Sequence, residues 1–237
     1  MRRFMSKTIY VADDESNIRN LVRTFLERDG YIVHTFPDGE SLLRHFSVVP
    51  SDLVILDVMM PGRDGFQICK EIRKISNVTI IMLTARDTDA DYISGLSIGS
   101  DDYFTKPFSP MKLVTKAKAI FRRMEADTAG QQDKGKLIFE DIEMDSRAKT
   151  AMAGGKDLQL TPNEFALLAY LILNKERAIP RSELLDRLWG YETEVETRVA
   201  DDTVKRLRKK LSGTSVEIKT VWGYGFRLNP KAETSKL

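Results

Sequence analysis

Cys69 is the only cysteine in the 237 residues, so the chain has no internal disulfide framework and fits a reducing compartment. That lone thiol reads as a small buried hydrophobe on a helix. No run approaches the ~18 consecutive apolar residues of a membrane span. The opening Met1-Arg2-Arg3-Phe4-Met5-Ser6-Lys7 is basic, but the apolar run behind it stops at Asp13, too short for a signal peptide. A cytoplasmic location without a membrane partner is expected. Excess charge of one sign is missing as well: the net charge is +2 with 30% charged residues, and that balance by itself argues for neither nucleic acid nor membrane. A P-loop is also absent. Around Gly154-Gly155-Lys156, Thr150 stands where the first glycine is needed and Asp157 where Ser or Thr is needed, so the segment reads as a hairpin turn. What the chain does have is length enough for two ordinary domains, each with its own core.

The first half is organised around Leu53-Val54-Ile55-Leu56-Asp57, an apolar run into a carboxylate, broken at once by Pro61, Gly62, Asp64 and Gly65. A short apolar run bounded by turn residues is a strand buried on both faces. Before it come a strand at Ile9–Ala12, a helix with Ile18, Leu21, Val22, Phe25 and Leu26 on one face, a strand at Tyr31–Thr35 and a helix marked by Leu42, Leu43 and Phe46. After it come a helix through Phe66, Cys69 and Ile72, a strand at Val78–Leu83, a helix from about Asp87 to Ile98 and a strand at Asp102–Phe104. A last helix is opened by Ser109 and Pro110. Five strand-helix alternations in about 120 residues make a doubly wound parallel sheet.

On that pattern Asp13 and Asp14 follow strand one, Asp57 ends strand three, Thr84 ends strand four and Lys106 follows strand five, all at the edge where open α/β sheets bind ligands. With a flavodoxin-like order, 2-1-3-4-5, strands one and three are neighbours and the three acids converge. Carboxylates ~4 Å apart repel by several kcal/mol per pair even at an effective dielectric near 20. Such a cluster calls for a cation, and hard oxygen ligands suit Mg²⁺. Lys106 adds a point charge and Thr84 a hydroxyl donor. Together they meet the needs of phosphoryl transfer to an aspartate: nucleophile, metal, and donors for the equatorial oxygens.

Asp13-Asp14, Asp57 within Leu-Asp-Val-Met-Met-Pro, Thr84-Ala85 and Lys106-Pro107-Phe108 resemble the receiver domain of bacterial two-component response regulators over residues about 7 to 124. The resemblance implies that Asp57 accepts a phosphoryl group from a sensor histidine kinase. It implies that Asp14, Asp57 and the backbone carbonyl of Met59 ligate Mg²⁺ with Asp13 acting through water, and that Thr84 and Tyr103 form a switch pair. A phosphatase passing through its own phosphoaspartate is the competing enzyme; it resembles Asp-x-Asp, and Met59 stands where its second acid belongs. A non-enzymatic reading is therefore expected.

Residues 125–135 are polar and lack an apolar period, which reads as a flexible tether between a domain over 1–124 and one over 136–237. From Leu137 short strand-like pieces at 137–139, 142–144, 150–152 and 158–160 predict a small antiparallel sheet. Thr161-Pro162-Asn163-Glu164 has the form of a capping box, opening a helix with Phe165, Leu168, Ala169 and Ile172 buried. A second helix spans about Arg181 to Trp189. A third carries Ala200, Val204, Leu207 and Leu211 on one face, and in Lys205–Lys210 five of six residues are basic. A three-helix unit whose last helix carries cations opposite its core stripe can lay that face in a major groove. A terminal hairpin follows, joined through Trp222-Gly223-Tyr224.

The motifs Leu160-Thr161-Pro162-Asn163-Glu164-Phe165, Arg181-Ser182-Glu183-Leu184-Leu185, Leu207-Arg208-Lys209-Lys210-Leu211 and Val221-Trp222-Gly223-Tyr224-Gly225-Phe226 resemble the winged-helix α+β effector domain of the OmpR/PhoB class. This implies promoter DNA with tandem half-sites and RNA polymerase as partners. By the same analogy Arg206 and its neighbours read bases, and Arg198, Lys205, Arg208, Lys209 and Tyr224 contact phosphates. Asp202 stands where the class usually has an apolar residue and can accept from cytosine N4, while Trp222 replaces a common wing arginine. Phosphorylation implies a homodimer through the helix expected near 87–98, the fifth strand and the helix after it. The family's ion pair across that face is lost at Tyr92 and Lys112, leaving Asp102 with Lys116 and packing of Leu113 and Ile98. A constitutive DNA-binding protein using its receiver only to dimerise is the alternative.

Overall fold

Strands β1 (Thr8–Ala12), β2 (Ile32–Phe36), β3 (Leu53–Asp57), β4 (Thr79–Ala85) and β5 (Asp102–Lys106) form one parallel sheet in the order β2-β1-β3-β4-β5. This is the flavodoxin-like order expected from the alternation of elements. The structure is a computed structural model and describes residues 6–85, 99–129, 136–190 and 199–231. Helices α1 (Ser16–Arg28), α2 (Gly39–Val48), α3 (Gly65–Ile75) and α4 (Pro110–Ala129) accompany the strands, and the helix expected near 87–98 lies outside the described residues. The chain divides into two compact units, residues 1–118 and 119–237.

All five positions of β3 are buried, Asp57 included at 1% exposure, because helices cover both faces of the central strands. Local signals end and start the elements that frame this carboxylate. Asp64 accepts from the Gln67 N–H at 2.7 Å while its own N–H donates to Gln67 Oε1 at 3.2 Å, a capping box that opens α3 just past Asp57. On the far side of the sheet edge, Arg73 of α3 donates to the Gly99 carbonyl at 2.8 Å and to Asp101 Oδ2 at 2.7 Å, and Asp101 also takes the Ile80 N–H at 2.9 Å. A buried ion pair thus fixes the entry to β5.

Three expectations shift. In α1 the buried residues are Val22 and Leu26, while Leu21 is 44% exposed; the face against the sheet is a narrower i, i+4 stripe. Strand β5 runs on to Lys106, so the lysine ends the strand. Helix α4 continues to Ala129, five residues into the segment read as a tether, where Ala126 and Ala129 favour helix; residues 130–135 lie outside the description.

In the second unit β6 (Lys136–Phe139), β7 (Ile142–Asp145), β8 (Thr150–Ala153) and β9 (Lys156–Asp157) form an antiparallel sheet. Gly154 and Gly155, both at positive φ, make the expected hairpin turn between β8 and β9. The fourth strand is Lys156–Asp157 rather than the expected 158–160, because Asp157 Oδ1 accepts the Gln159 N–H at 2.9 Å and Gln159 turns to φ 48. Three helical segments follow: α5 (Pro162–Leu173), α6 (Arg181–Leu184, continued by a π turn at Leu185–Trp189) and α7 (Val199–Lys210). The capping box at Thr161 and Glu164 forms as read. Strands β11 (Val216–Val221) and β12 (Gly225–Pro230) make the terminal hairpin, joined on its β12 side by β10 (Ile179–Pro180). The stripe Ala200, Val204, Leu207 and Leu211 is buried, as the spacing required.

Candidate functional site

Ala12 and Leu56 are register partners on β1 and β3, so the next residues, Asp13 and Asp57, leave the sheet side by side. Ligand oxygens of Asp13, Asp14 and Asp57 all lie within 4.8 Å of one another. Asp13 and Asp57 are buried and Asp14 is exposed. From the end of β5, Lys106 Nζ reaches Asp57 Oδ2 at 2.8 Å, Asp13 Oδ2 at 2.9 Å and Glu15 Oε1 at 3.6 Å. Acids from the amino-terminal third and a lysine beyond position 100 therefore share one pocket.

The loop after β1 is held by Arg19, whose Nη1 donates to the carbonyls of Asp13 at 2.7 Å and Asp14 at 2.9 Å. The Glu15 N–H donates to Asp13 Oδ1 at 2.9 Å, and the Met59 N–H reaches Asp57 Oδ1 at 3.4 Å. Sequence reasoning missed Arg19 and Glu15. Glu15 was visible as a third acid after Asp13-Asp14, but nothing in the spacing marks Arg19.

Electrostatics leaves the pocket short of positive charge. Burial pushes the Asp57 carboxyl above its usual range and the neighbouring Asp13 adds to this, against the pull of Lys106 and the Met59 N–H. Burial opposes the Lys106 charge too, yet hydrogen bonds to Asp57 and Asp13 outweigh it and hold the ammonium above its ordinary value. Three carboxylates against one ammonium is a set of hard oxygen donors with surplus negative charge, and it fits Mg²⁺.

Thr84 follows Leu83, the register partner of Asp57, and is 9% exposed. Its Oγ1 donates to the Ala85 carbonyl at 3.2 Å, at the end of its own strand. The Tyr103 ring is half-buried against the sheet core, and the Ser100 hydroxyl donates to its phenol oxygen. The expected dimer contacts change. Lys116 pairs with Asp102 inside the chain at 2.5 Å, with side chains only 6% and 4% exposed, and Leu113 is 1% exposed. Neither the pair nor Leu113 is presented to a second copy; Tyr92 and Ile98 lie outside the described residues.

Gly65 is a further site residue, visible in the sequence only as a strand breaker. A Cβ there would lie 2.1 Å from the Asp57 carbonyl oxygen, and the Gly65 N–H donates to the Val58 carbonyl at 2.9 Å. Backbone would have to move, and the backbone at risk carries the carboxylate. On the expectation that Asp57 takes a phosphoryl group, Gly65→Ala should slow incorporation from acetyl phosphate about tenfold or more, while circular dichroism stays that of a folded chain. Unchanged incorporation would show that the approach is slack.

In the second unit the basic run of α7 splits by direction. Lys205 and Lys209 are exposed. Arg206 is turned inward: its side chain is 10% exposed and its Nε lies 3.3 Å from Glu164 Oε1, on a carboxylate that is 1% exposed. Lys210 Nζ takes the other oxygen at 2.6 Å. Arg206 therefore does not share the presented face on which the sequence reading put it, because the carboxylate that caps α5 lies buried against α7 and recruits it. Arg208 donates to the Ile218 carbonyl and to Thr220 Oγ1, both at 2.8 Å, and so ties α7 to β11. Asp202 is half-buried in the first turn of α7, while at the hairpin tip Trp222 is 92% exposed and Tyr224 49%. Arg198 lies outside the described residues.

Comparison with known proteins covers both units. A family model described as a response regulator receiver domain matches residues 9–118, and one described as the C-terminal part of transcriptional regulatory proteins matches residues 155–228. The chain is 38% identical to the transcriptional regulatory protein ResD of Bacillus subtilis, covering 95% of this chain and 97% of that protein. It is also 38% identical to the alkaline phosphatase synthesis transcriptional regulatory protein PhoP of the same organism, over 94% and 97% of the two chains. Among solved structures, a RitR mutant superposes with TM-score 0.78 at 25% identity over 95% of this chain and 100% of that one. The response regulator DrrB, a Thermotoga maritima OmpR/PhoB homolog, matches with TM-score 0.50 at 32% identity over 96% and 100%. Among the described residues no helix is long and apolar enough to cross a membrane.

Proposed function

The chain belongs to the OmpR/PhoB-type response regulators, which join a receiver to a winged-helix DNA-binding domain and regulate transcription within two-component systems, and from that premise we propose that Asp57 is its phosphoacceptor. The observation that carries this is the Lys106 ammonium bridging Asp57 and Asp13 at 2.8 and 2.9 Å. The Asp57 carboxylate attacks the phosphorus of a kinase phosphohistidine; the P–N bond breaks with its electron pair going to the imidazole, and an acyl phosphate forms. Asp14, Asp57 and the Met59 carbonyl would hold Mg²⁺, with Asp13 acting through water; when bound, the ion neutralises charge on the phosphoryl oxygens. Lys106 then pairs with a phosphoryl oxygen, the Thr84 hydroxyl turns from Ala85 toward it, and the Tyr103 ring moves with Thr84.

For the DNA-binding half, the exposed Lys205, Arg208 and Lys209 are phosphate contacts of α7. Trp222 and Tyr224 act at the wing and Asp202 at the helix start, with Arg198 a further phosphate contact. Phosphorylation favours a homodimer, which raises the effective concentration of two such domains on tandem half-sites of promoter DNA, where RNA polymerase is engaged in the cytoplasm. Selection of bound DNA from a random pool, with and without beryllofluoride and Mg²⁺, tests this. The expected result is a tandem site bound about tenfold or more tighter with the phosphoryl mimic. Equal affinity in both arms would instead mean a constitutive DNA-binding protein that uses its receiver only to dimerise.

A further inference from the structure

The sequence contains two histidines, and the fold brings them together. His34 on β2 and His45 in the last turn of α2 have ring centroids 5.6 Å apart with planes inclined by 38°. Both are exposed. Both line one cavity of about 600 Å³ on the outer edge of the sheet, together with Arg23, Glu27 and Tyr31. Neither ring is loose. His34 packs edge-on to Tyr10 at 5.4 Å, and His45 is set between Tyr10 at 5.3 Å and Phe36 at 5.5 Å. Tyr10 itself is fixed by donating to the Val49 carbonyl at 2.7 Å.

We propose that His34 and His45 form a second metal site, a two-imidazole chelate for a borderline-soft divalent ion such as Zn²⁺, separate from the carboxylate pocket at Asp57. Imidazole is the side-chain ligand suited to such ions, whereas the all-oxygen donors at Asp13, Asp14 and Asp57 suit Mg²⁺. The separation agrees with chelation. With metal–nitrogen bonds of about 2.1 Å and a tetrahedral angle, two ring centroids sharing one ion stand about 5 Å apart, so 5.6 Å asks for only a small closing movement. Arg23 is the unfavourable neighbour, and its charge is met by Glu27 at 2.8 Å. Water from the cavity would fill the remaining coordination positions. An ion held there cross-links β2 to α2.

Calorimetric titration of Zn²⁺ into the full chain, with Mg²⁺ in large excess to occupy the carboxylate pocket, tests the site, beside His34→Gln, His45→Gln and Asp57→Asn variants. The expected result is saturable one-to-one binding, weakened about tenfold or more in each histidine variant alone and kept in Asp57→Asn. Thermal melting of the same samples should show a zinc-dependent rise for wild type that both histidine variants lack. Absence of saturable binding, loss in only one histidine variant, or loss only in Asp57→Asn would each overturn the proposal.

Discussion

Asp57→Asn is expected to lower phosphoryl incorporation to background, from a sensor kinase or from acetyl phosphate, while the chain remains folded. An amide has no charged oxygen to attack phosphorus, and Asp13 is held by Lys106 and the Glu15 N–H. The same substitution should weaken the protein's response to pH and to Mg²⁺. In the folded state the Asp57 carboxyl lies above its unfolded value, through burial first and Asp13 next. Its contribution to stability is therefore full below the unfolded carboxyl range and is lost as pH rises through the raised folded value. At neutral pH without divalent ions the asparagine variant should thus melt above wild type. Mg²⁺ should stabilise wild type by about 2.7 kcal/mol at a hundredfold excess over its dissociation constant, and the variant by less. Radiolabel retained on the variant would sink the assignment of the nucleophile; a variant melting below wild type in chelator would sink the account of the pocket's charge.

Arg206→Met should be costly in the DNA-binding half, and for a reason unconnected with DNA. It strips one of two cations from a carboxylate that is 1% exposed, leaving Lys210 alone at 2.6 Å. Losing one charge-assisted partner from a buried carboxylate that keeps another costs about 1.5–3 kcal/mol, readable as a shift in the urea midpoint. Lys209→Ala should do the opposite: its stability change should stay within about 0.5 kcal/mol, while the slope of log affinity against log salt falls by about 1. If Arg206→Met instead keeps full stability and relaxes the preference at one base position, the arginine reads DNA after all.

These contrasts separate what periodicity can carry from what it cannot. Alternation of short apolar runs with amphipathic stretches identified the five-stranded sheet, and turn residues after Asp57 placed the carboxylate at its ligand-binding edge. The capping box at Thr161 and Glu164, the glycine turn at Gly154-Gly155 and the buried stripe of α7 were legible because each depends on residues within about four positions of one another. The π turn at Leu185–Trp189 carries no sequence signal of its own.

Charge run along α7 was legible as composition but not as direction. Five cations in six residues look alike in one dimension, and only the approach of Glu164, more than forty positions away, decides that Arg206 and Lys210 turn inward while Lys205 and Lys209 face out. Distance along the chain hides the rest in the same way. Lys116 finds Asp102 within the chain. Gly65 touches the Asp57 carbonyl, and two isolated histidines meet across β2 and α2. Sequence by itself determined which elements form and which chemistry they carry, since propensity, capping and hydrophobic period act locally. Only the tertiary structure decided which charges oppose one another, because ion pairing depends on separation in space and on burial, and neither is a property of a residue's neighbours in sequence.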